Sequence, residues 1–324
     1  MTASYRKSLA PLAPREGRPR WSVMIPTYNC ARYLERTLES VLAQDPGPQS
    51  MQIEVVDDAS TSDDPGEVVA RVGRGRVQFR RQGRNVGHIA NFHDCIEHAQ
   101  GEIVHLLHGD DLVFPGFYEA MGRAFDTDPE IGAAFCRWSL MDENGQVLSS
   151  VDPEQPEAGR LPNALCKLAS EQRIVTPSIA VRRSVWERLG TFDSRLKCCE
   201  DWEMWTRIAA HYPIWYEPRL LAAYRTHGNS NTGRNFRMAE ELYYNRIAID
   251  LIRPLLPADR APGVVKSAEK AYAASALENA RRFASQRDLS AMRAHLAAAL
   301  RLSRTPKTLL SAGKILMRAM SGSA

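Results

Sequence analysis

The sequence predicts an α/β fold in which a mostly parallel central sheet is flanked by helices and followed by a C-terminal helical extension. Two observations lead to this prediction. Between Trp21 and Ser139, short apolar runs alternate with longer amphipathic ones, which is the pattern of repeated β-α units. From about Asn235 onward the pattern is helical and rich in Ala, Leu and Arg.

The individual elements follow from apolar periodicity and from turn residues between the runs. Strands are predicted at Ser22–Ile25, Ile53–Val56, Val77–Arg80, Ile103–Leu107 and Gly132–Arg137. Helices are predicted within ARYLERTLESVLAQ (31–44) and HIANFHDCIEHAQG (88–101), where apolar residues recur at helical spacing. Later elements are a strand and short helix in VTPSIAVRRSVWERLG (175–190), a helix in the second half of FDSRLKCCEDWEMWTRIAAH (192–211), and a strand in LLAAYRTHGNSN (220–231).

These elements divide the chain into three predicted regions. Residues 1–20 contain Pro, Arg and Ser and are expected to form a loose basic leader. Residues 21–234 are expected to form the α/β domain, and residues 235–324 the helical C-terminal region. The proline-containing stretch 141–172 is expected to be an excursion that covers one side of a site.

Composition restricts the class of protein. The 324 residues are 44% hydrophobic and 25% charged, as in ordinary globular proteins, and a net charge of +4 gives no reason to expect a nucleic-acid partner. The six cysteines form neither a CxxC pair nor a zinc-ligand spacing, so we expect reduced thiols in a cytoplasmic protein. No uncharged apolar run reaches the roughly 18 residues of a spanning helix.

The last helix of the C-terminal region is basic and amphipathic. No acidic residue follows Asp288. One helical face carries Leu309, Leu310, Gly313, Leu316, Met317 and Met320, and the other carries Lys307, Ser311, Lys314 and Arg318. Two interpretations remain open, a helix packed on the domain and a helix lying on the inner face of an anionic membrane.

Polar residues follow each of the first four predicted strands. In open parallel sheets, ligands bind beyond the carboxyl ends of the strands, so these residues are the candidates for chemistry. The four segments are PTYN (26–29), DDASTSDD (57–64), GRNVG (83–87) and HGDD (108–111). Neither a GxGxxG fingerprint nor a GxxxxGK[ST] loop is present, which disfavours a dinucleotide dehydrogenase and a P-loop NTPase.

Two acidic pairs at strand ends each allow two interpretations. Asp57 and Asp58 could form an Asx-type turn before a helix near Asp64, or accept hydrogen bonds from a nucleobase or ribose. Asp110 and Asp111 repel each other unless a positive charge lies beside them. Carboxylate oxygens suit Mg²⁺ or Mn²⁺, which predicts a metal-diphosphate site, although a simple turn is the alternative.

Two further segments carry candidate groups. Glu200 and Asp201 stand at the start of a predicted helix, where acids suit the helix dipole or could accept a proton from an attacking alcohol. In YRTHGNS (224–230), Arg225 is a candidate phosphate contact. His227 is a candidate metal ligand or a structural histidine.

The order of these segments resembles a known enzyme family. SVMIPTYNCARYLERTLESVLAQ, IEVVDDASTSDD, GRNVGHIANF, LLHGDDLVFPGFYEAM, CCEDWEMWTRIA and YRTHGNS together resemble the family 2 glycosyltransferases of the GT-A (Rossmann-like) fold, over about residues 22–230. The resemblance implies an inverting, metal-dependent transferase that uses a nucleotide-diphosphate sugar. By the same resemblance, a glycan or lipid-linked acceptor in bacterial surface polysaccharide assembly is expected.

The resemblance also implies roles for single residues. Pro26, Tyr28 and Asp58 would line the nucleobase pocket with Asp57, Asn85 and Gly87 nearby, Asp110 and Asp111 would hold the metal and diphosphate, and Asp201 would be the catalytic base. His108 is a departure, because many relatives have an acid there. That departure is the one feature favouring the alternative of a non-catalytic nucleotide-sugar-binding or scaffold protein.

Overall fold

The central feature of the fold is one ten-stranded sheet. The structure is a computed structural model that describes residues 5–13, 17–227 and 236–321. Residues 320 and 321 are described by their backbone alone. The strands are β1 Trp21–Thr27, β2 Met51–Asp57, β3 Gln78–Arg81, β4 Ile103–Leu106, β5 Leu112–Val113, β6 Ala133–Met141, β7 Val147–Ser150, β8 Gly159–Arg160, β9 Ile179–Arg182 and β10 Ile214–Arg225.

Helices alternate with these strands in the first part of the chain and dominate its last part. They are α1 Ala31–Leu42, α2 Pro65–Gly73, α3 His88–His98, α4 Phe117–Thr127, α5 Ala164–Ser170, α6 Arg183–Leu189, α7 Glu200–Ala209, α8 Glu240–Ile252, α9 Ala261–Ser285, α10 Leu289–Leu302 and α11 Pro306–Ser321. Each predicted strand and helix has a counterpart among the described residues, with ends shifted by up to six residues. Residues 228–231, at the end of the last predicted strand segment, lie outside the described residues.

The sheet confirms the predicted fold class and adds a mixed region. The strand order is β3-β2-β1-β4-β9-β6-β10-β5, with β7 paired to β6 and β8 to β10. The first four strands along the chain are parallel to one another, and β6 is parallel to β10. Strand β9 runs antiparallel to both of its neighbours, β4 and β6.

The central strands are buried along their whole length. All seven residues of β1 are buried, and so are six of the seven in β2. Strands buried along nearly their whole length are typical of a parallel sheet covered by helices on both faces. The core of this region combines the strands with the apolar faces of α1 and α4, for example through Leu34, Leu38 and Phe117.

The chain divides into two compact units. The first contains Met1–Ala164, Ile174–Arg195 and Arg207–Thr226, and the second contains Leu165–Arg173, Leu196–Thr206 and His227–Ala324. Two internal segments belong to the second unit with the C-terminal helices, since Trp202 and Leu196 are buried in the apolar core formed by α8 to α11. The predicted boundary at residue 234 stays a prediction, because residues 228–235 lie outside the described part of the chain.

Residues 5–13 of the predicted leader make hydrogen bonds to the first unit, while the loose character predicted for residues 1–20 as a whole stays a prediction. The carbonyl of Tyr5 accepts a hydrogen bond from the Ser194 amide, and the carbonyl of Lys7 accepts one from the Thr191 amide. Leu9 is buried. Backbone pairing and one apolar anchor therefore hold residues 5–13, which composition alone did not indicate.

Helix α11 packs within the second unit by a face other than its most apolar one. Its buried residues include Thr308, Ala312 and Ile315. Leu309, Leu310 and Met317 are exposed. Throughout the part of the chain that the structure describes, no helix has the combination of length and apolar character that crossing a bilayer requires.

Candidate functional site

The ends of β1, β2 and β4 lie at one edge of the sheet, and acidic residues follow two of them, β2 and β4. Thr27 at the end of β1 pairs with Asp57 at the end of β2, and Met24 pairs with Leu106 at the end of β4. Beyond β4, the Gly109 amide donates a hydrogen bond to the carbonyl of Pro26. The HGDD segment therefore continues alongside β1, which brings it to the edge where sheets of this kind bind ligands.

Gly109 is the residue that allows this close approach. A Cβ atom at position 109 would lie 2.5 Å from the Thr27 Cγ2 and 3.1 Å from the Cys30 Sγ. Both neighbours are buried, and the Thr27 side chain is β-branched, so neither can move freely. A glycine is therefore required for the loop that carries Asp110 and Asp111 to lie against β1.

Three potential metal ligands meet in this loop. His108, Asp110 and Asp111 each offer an atom that lies within 4.8 Å of the others. The His108 ring stacks on Phe92, with centroids 5.0 Å apart and an angle of 15° between the planes. In the sequence, His108 stands where many relatives have an acid. In the structure, its imidazole lies in the same cluster as the two carboxylates.

Asp111 is the most constrained member of the cluster. Its side chain is fully buried, at 0% exposure, and its Oδ1 accepts a hydrogen bond of 2.8 Å from the Arg225 amide. Its Oδ2 is also buried and accepts no hydrogen bond from the described residues. The His108 Nδ1 lies 3.5 Å from Oδ2, which is too long for a good hydrogen bond.

Burial determines the ionisation of Asp111. Loss of hydration raises the pKa of its carboxyl from the usual 3.8 to about 6, and the negative charge of Asp110 adds to the rise. The His108 side chain and the Arg225 amide act in the opposite direction. A buried carboxylate with an unused oxygen beside a second carboxylate and an imidazole fits a divalent cation, which would stabilise the ionised form.

Arg225 holds the acidic loop in place from the end of β10. Its guanidinium is buried and donates hydrogen bonds to the carbonyls of Asp110, at 2.7 Å, and of Asp142 and Glu143. It also lies over the Tyr33 ring, 4.7 Å from the centroid. These contacts assign Arg225 a positioning role, while the phosphate contact predicted for it stays a prediction.

Thr37 is a second positioning residue, and sequence reasoning missed it. Its hydroxyl lies 2.8 Å from the carbonyl oxygen of Asp111 and 3.1 Å from that of Gly109. Thr37 is fully buried on the apolar face of α1, next to Leu34 and Leu38. A hydroxyl on an otherwise apolar helix face is the sequence signal that could have indicated it, because buried hydroxyls require a partner.

The carboxylates of Asp57 and Asp58 organise the loops after β2 and β3. Asp57 accepts hydrogen bonds from the amide and hydroxyl of Ser60 and from the Arg81 guanidinium. Asp58 accepts hydrogen bonds from the amides of Val86 and Gly87, at 2.7 and 3.0 Å. The Asp57 side chain thus closes a local turn through the amide of Ser60, three residues on. The N-cap of α2 is Asp64, whose side chain accepts a hydrogen bond from the Gly66 amide.

These contacts join the GRNVG loop to the end of β2. Burial raises the pKa of Asp58, and its two amide hydrogen bonds lower it. Gly87, at φ +86°, lies directly before α3, and both Asn85 and the Tyr28 ring are exposed. Pro26 is buried beside them at the end of β1. Their predicted nucleobase contacts stay predictions.

Gly109→Ala tests whether the close approach of the acidic loop matters. We expect the added methyl group to destabilise the protein by about 1 to 3 kcal/mol, as overpacking does, and to weaken Mn²⁺ binding by displacing Asp110 and Asp111. Denaturant unfolding and calorimetry with Mn²⁺ measure the two effects. Gly83→Ala is the matched control, since nothing lies within 4 Å of a Cβ there.

A second substitution makes the steric cause testable. Thr27→Ser removes the Cγ2 atom that an alanine at 109 would meet, so the double variant is expected to recover much of the lost stability. If Gly109→Ala matches the wild type in both measurements, or if Thr27→Ser gives no recovery, the steric argument is wrong.

Comparisons with known proteins identify the family of this chain. The family model described as "Glycosyl transferase family 2" matches residues 22–190, which is more than half of the chain. The chain belongs to glycosyl transferase family 2. The matched residues include β1, β2, β4 and the HGDD segment, so the resemblance seen in the sequence is confirmed.

Curated relatives of this glycosyltransferase are distant. An uncharacterized protein of Mycobacterium tuberculosis is 28% identical over 235 residues, covering 67% of this chain and 70% of the relative. An uncharacterized glycosyltransferase of Rickettsia typhi is 25% identical over 229 residues, covering 69% of each chain. One of Methanocaldococcus jannaschii is 25% identical over 218 residues, covering 66% of this chain and 73% of the relative.

Solved structures of similar proteins establish the fold of this glycosyltransferase. The crystal structure of Staphylococcus aureus TarS 1-349 has a TM-score of 0.62 at 15% identity and covers 94% of this chain and 92% of its own. The mannosyltransferase PcManGT of Pyrobaculum calidifontis, solved with GDP-Man and Mn²⁺, has a TM-score of 0.57 at 22% identity and covers 93% and 81%. At these identities the likeness is one of fold.

The second unit of the glycosyltransferase contains the other predicted residues. Asp201 lies in the first turn of α7, where its Oδ2 accepts a hydrogen bond of 2.8 Å from the Gln172 side chain. The amide of Gln172 donates to the Tyr272 hydroxyl, and the Trp202 indole donates to the Leu168 carbonyl. The segment 165–173 thus fixes the start of α7, which sequence reasoning treated only as part of an excursion.

His227 was predicted as a metal ligand. Among the described residues, the cluster that could hold an ion contains His108, Asp110 and Asp111, and His227 is not part of it. His227 belongs to the second unit, at the end of the described segment that follows β10. Its role as a ligand stays a prediction, and His108 is the histidine that sequence reasoning did not assign.

Proposed function

We propose that this glycosyltransferase transfers a sugar from a nucleotide-diphosphate donor to an acceptor hydroxyl, with a divalent metal and with inversion at the anomeric carbon. The observation that carries the proposal is the buried Oδ2 of Asp111, which has no hydrogen-bond donor among the described residues and lies in a cluster with Asp110 and His108. A carboxylate held in this way in a family 2 member is best explained by a cation.

The structures of similar proteins support this choice of ligands. TarS 1-349 was solved in complex with UDP-GlcNAc, with a TM-score of 0.56, and PcManGT with GDP-Man and Mn²⁺. We therefore propose Mn²⁺ or Mg²⁺ as the cation. His108, Asp110 and Asp111 would hold it, and His227 remains a further candidate.

The chain's own residues prepare the site for a charged leaving group. A bound divalent cation would supply Lewis-acid stabilisation of the departing nucleoside diphosphate. Arg225 and Thr37 keep the Asp110–Asp111 backbone fixed through their hydrogen bonds to its carbonyls. A fixed carboxylate pair needs little reorganisation during the reaction, which is the main source of electrostatic catalysis.

We propose that Asp201 is the catalytic base. Its carboxylate would take the proton of the acceptor hydroxyl while the hydroxyl oxygen forms a bond to the anomeric carbon and the bond to the donor phosphate breaks. Attack opposite the leaving group inverts the anomeric centre in one step, without a covalent enzyme intermediate. The Gln172 side chain would keep the Asp201 carboxylate oriented through its Nε2 hydrogen bond.

The nucleobase is proposed to bind where the first three strand exits meet. Asp58 and Gly87 are joined there by a hydrogen bond, and Tyr28 presents an exposed ring suited to stacking. The acceptor is proposed to be a glycan or a lipid-linked saccharide, as in bacterial surface polysaccharide assembly. The basic C-terminal helix supports a lipid-linked acceptor through its charge.

Release of nucleoside diphosphate tests the proposed reaction. The full chain is incubated with Mn²⁺ and a panel of donors that includes UDP-GlcNAc and GDP-mannose, with and without saccharide acceptors. We expect one donor to be consumed faster with acceptor, and the release to stop when EDTA removes the metal. Nuclear magnetic resonance of the product is expected to give the inverted anomer.

Two results would contradict the proposal in different ways. Calorimetric binding of a donor without any release would favour the non-catalytic nucleotide-sugar-binding alternative. Absence of binding heat for every donor, in Mn²⁺ and in Mg²⁺, would exclude the nucleotide-sugar site itself.

A further inference from the structure

Helix α11 has two apolar faces, and only one of them is packed against the protein. Ala312 and Ile315 are buried in the core of the second unit. Leu309, Leu310 and Met317 are 51%, 66% and 65% exposed. Large apolar side chains with such exposure are individually common, but a contiguous group of them on one helix is a feature of interaction surfaces.

The exposed residues form a continuous surface, which we call the α11 outer face. They line an open apolar depression of about 570 Å³, and its residues are Pro306, Leu309, Leu310, Gly313, Lys314 and Met317. Leu316, 42% exposed, extends the same face. Because positions three and four apart lie on one side of a helix, the face runs along most of its length.

Basic residues border the α11 outer face. Lys307, Lys314 and Arg318 follow one edge of it at helical spacing. Arg293, Arg301 and Arg304 precede them, and the sequence contains no acidic residue after Asp288. An apolar strip with cations along its border is the pattern of helices that lie in the plane of an anionic lipid surface.

We propose that the α11 outer face binds reversibly to anionic lipid bilayers, with its leucines and Met317 among the acyl chains and its basic residues on the lipid phosphates. The basic border of this face is complementary in charge to anionic lipid. A symmetric contact between two copies of the same face would bring Lys307, Lys314 and Arg318 of both copies together without an acidic partner from the same helices, which is unfavourable.

Lipid binding at this face would concentrate the enzyme where lipid-linked acceptors are found. The attachment would be peripheral, since the helix already uses Ala312 and Ile315 to pack on its own unit. Attachment through a few side chains and an electrostatic contribution is weak enough to be reversible. Vesicle binding is measured without a sugar donor, so its result is independent of the transfer reaction.

Co-sedimentation with vesicles tests the proposal on the full chain. The probes are phosphatidylcholine vesicles and vesicles in which about 30% of the lipid is phosphatidylglycerol, which carries the anionic surface charge. We expect binding to the anionic vesicles, little binding to the neutral ones, and a loss of binding as salt is raised.

Paired variants separate the apolar and the charged contributions. Leu310→Ser with Met317→Ser is expected to reduce the partition coefficient roughly tenfold or more. Lys307→Gln with Lys314→Gln is expected to reduce it roughly 30-fold, and only on anionic vesicles. The matched controls are Val147→Ser with Leu148→Ser, which are 56% and 57% exposed on β7, and Lys266→Gln with Lys270→Gln, exposed on α9.

Three outcomes would overturn the proposal. They are equal binding to neutral and anionic vesicles, an equal loss of binding in the test and control variants, and a dimer in sedimentation velocity that Leu310→Ser with Met317→Ser dissociates. The last outcome would assign the α11 outer face to self-association. Thermal unfolding is recorded for each variant, and unchanged melting temperatures are expected because all the replaced side chains are exposed.

Discussion

Asp111→Asn is expected to reduce the affinity for Mn²⁺ by about a hundredfold and to remove most of the transfer activity. The asparagine can still accept the hydrogen bond from the Arg225 amide through its Oδ1, so the loop should keep its position. The change removes the negative charge and replaces the oxygen that has no hydrogen-bond donor among the described residues. Calorimetry with Mn²⁺ and a donor-release assay measure the two effects.

In metal-free buffer near neutral pH, Asp111→Asn is expected to raise the free energy of unfolding, although it weakens metal binding. The pKa of Asp111 is raised in the folded protein from 3.8 to about 6, so its contribution to stability is present below pH 3.8 and is lost as the pH rises through about 6. The loss is on the order of 3 kcal/mol. We expect denaturant unfolding to show this decrease for the wild type and not for Asp111→Asn.

A control variant and the pH dependence of Mn²⁺ binding test whether the Asp111 carboxylate causes these effects. Asp126→Asn removes an exposed carboxylate from α4 and should leave Mn²⁺ affinity unchanged. Lowering the pH from 7 to 5 should weaken Mn²⁺ binding to the wild type roughly tenfold, because protonated Asp111 must lose its proton to bind a cation. Wild-type affinity in Asp111→Asn, or a metal affinity independent of pH in this range, contradicts the assignment.

Asp201→Asn is expected to lower the rate of sugar transfer by about 10²- to 10⁴-fold while donor and Mn²⁺ affinities stay at the wild-type level. The asparagine retains a group that can accept the Gln172 hydrogen bond, so the start of α7 should keep its structure. A base that acts only in the transition state affects the catalytic rate and not the binding of the donor. Steady-state kinetics and donor calorimetry separate the two.

Glu200→Gln is the matched control for Asp201. It removes a carboxylate one position earlier in the first turn of the same helix, so it changes the helix dipole environment to a similar extent. We expect it to keep most of the activity. If Glu200→Gln loses as much activity as Asp201→Asn, or if Asp201→Asn transfers sugar at the wild-type rate, Asp201 is not the base.

Some parts of the site could be predicted from the sequence because they depend on local pattern. Strand β4 and the HGDD segment were predicted since an apolar run ends abruptly in charged residues. Asp57 and Asp58, at the end of β2 and directly after it, were singled out in the same way. The apolar face and the basic face of helix α11 were predicted, since helical spacing depends only on the order of residues.

Other parts depend on contacts between residues far apart in the chain. Thr37 lies 74 positions before Asp111, and Arg225 lies 114 positions after it. Nothing in the residues near either one indicates that its hydrogen bonds end on the acidic loop. The sequence showed only that His108 replaces an acid found in many relatives. Its distance from the Asp111 carboxylate depends on how the loop turns after Gly109.

The sequence by itself determined the order of strands and helices, the acidic character of the strand ends and the basic apolar face of the last helix. These properties arise from the spacing of residue types, which a single chain carries without folding. Only the tertiary structure decided that Asp111 is buried with one oxygen not hydrogen-bonded by any described residue, and that residues 5–13 are held by Ser194 and Thr191. Burial and hydrogen bonding are properties of neighbours in space, and packing alone brings those neighbours together.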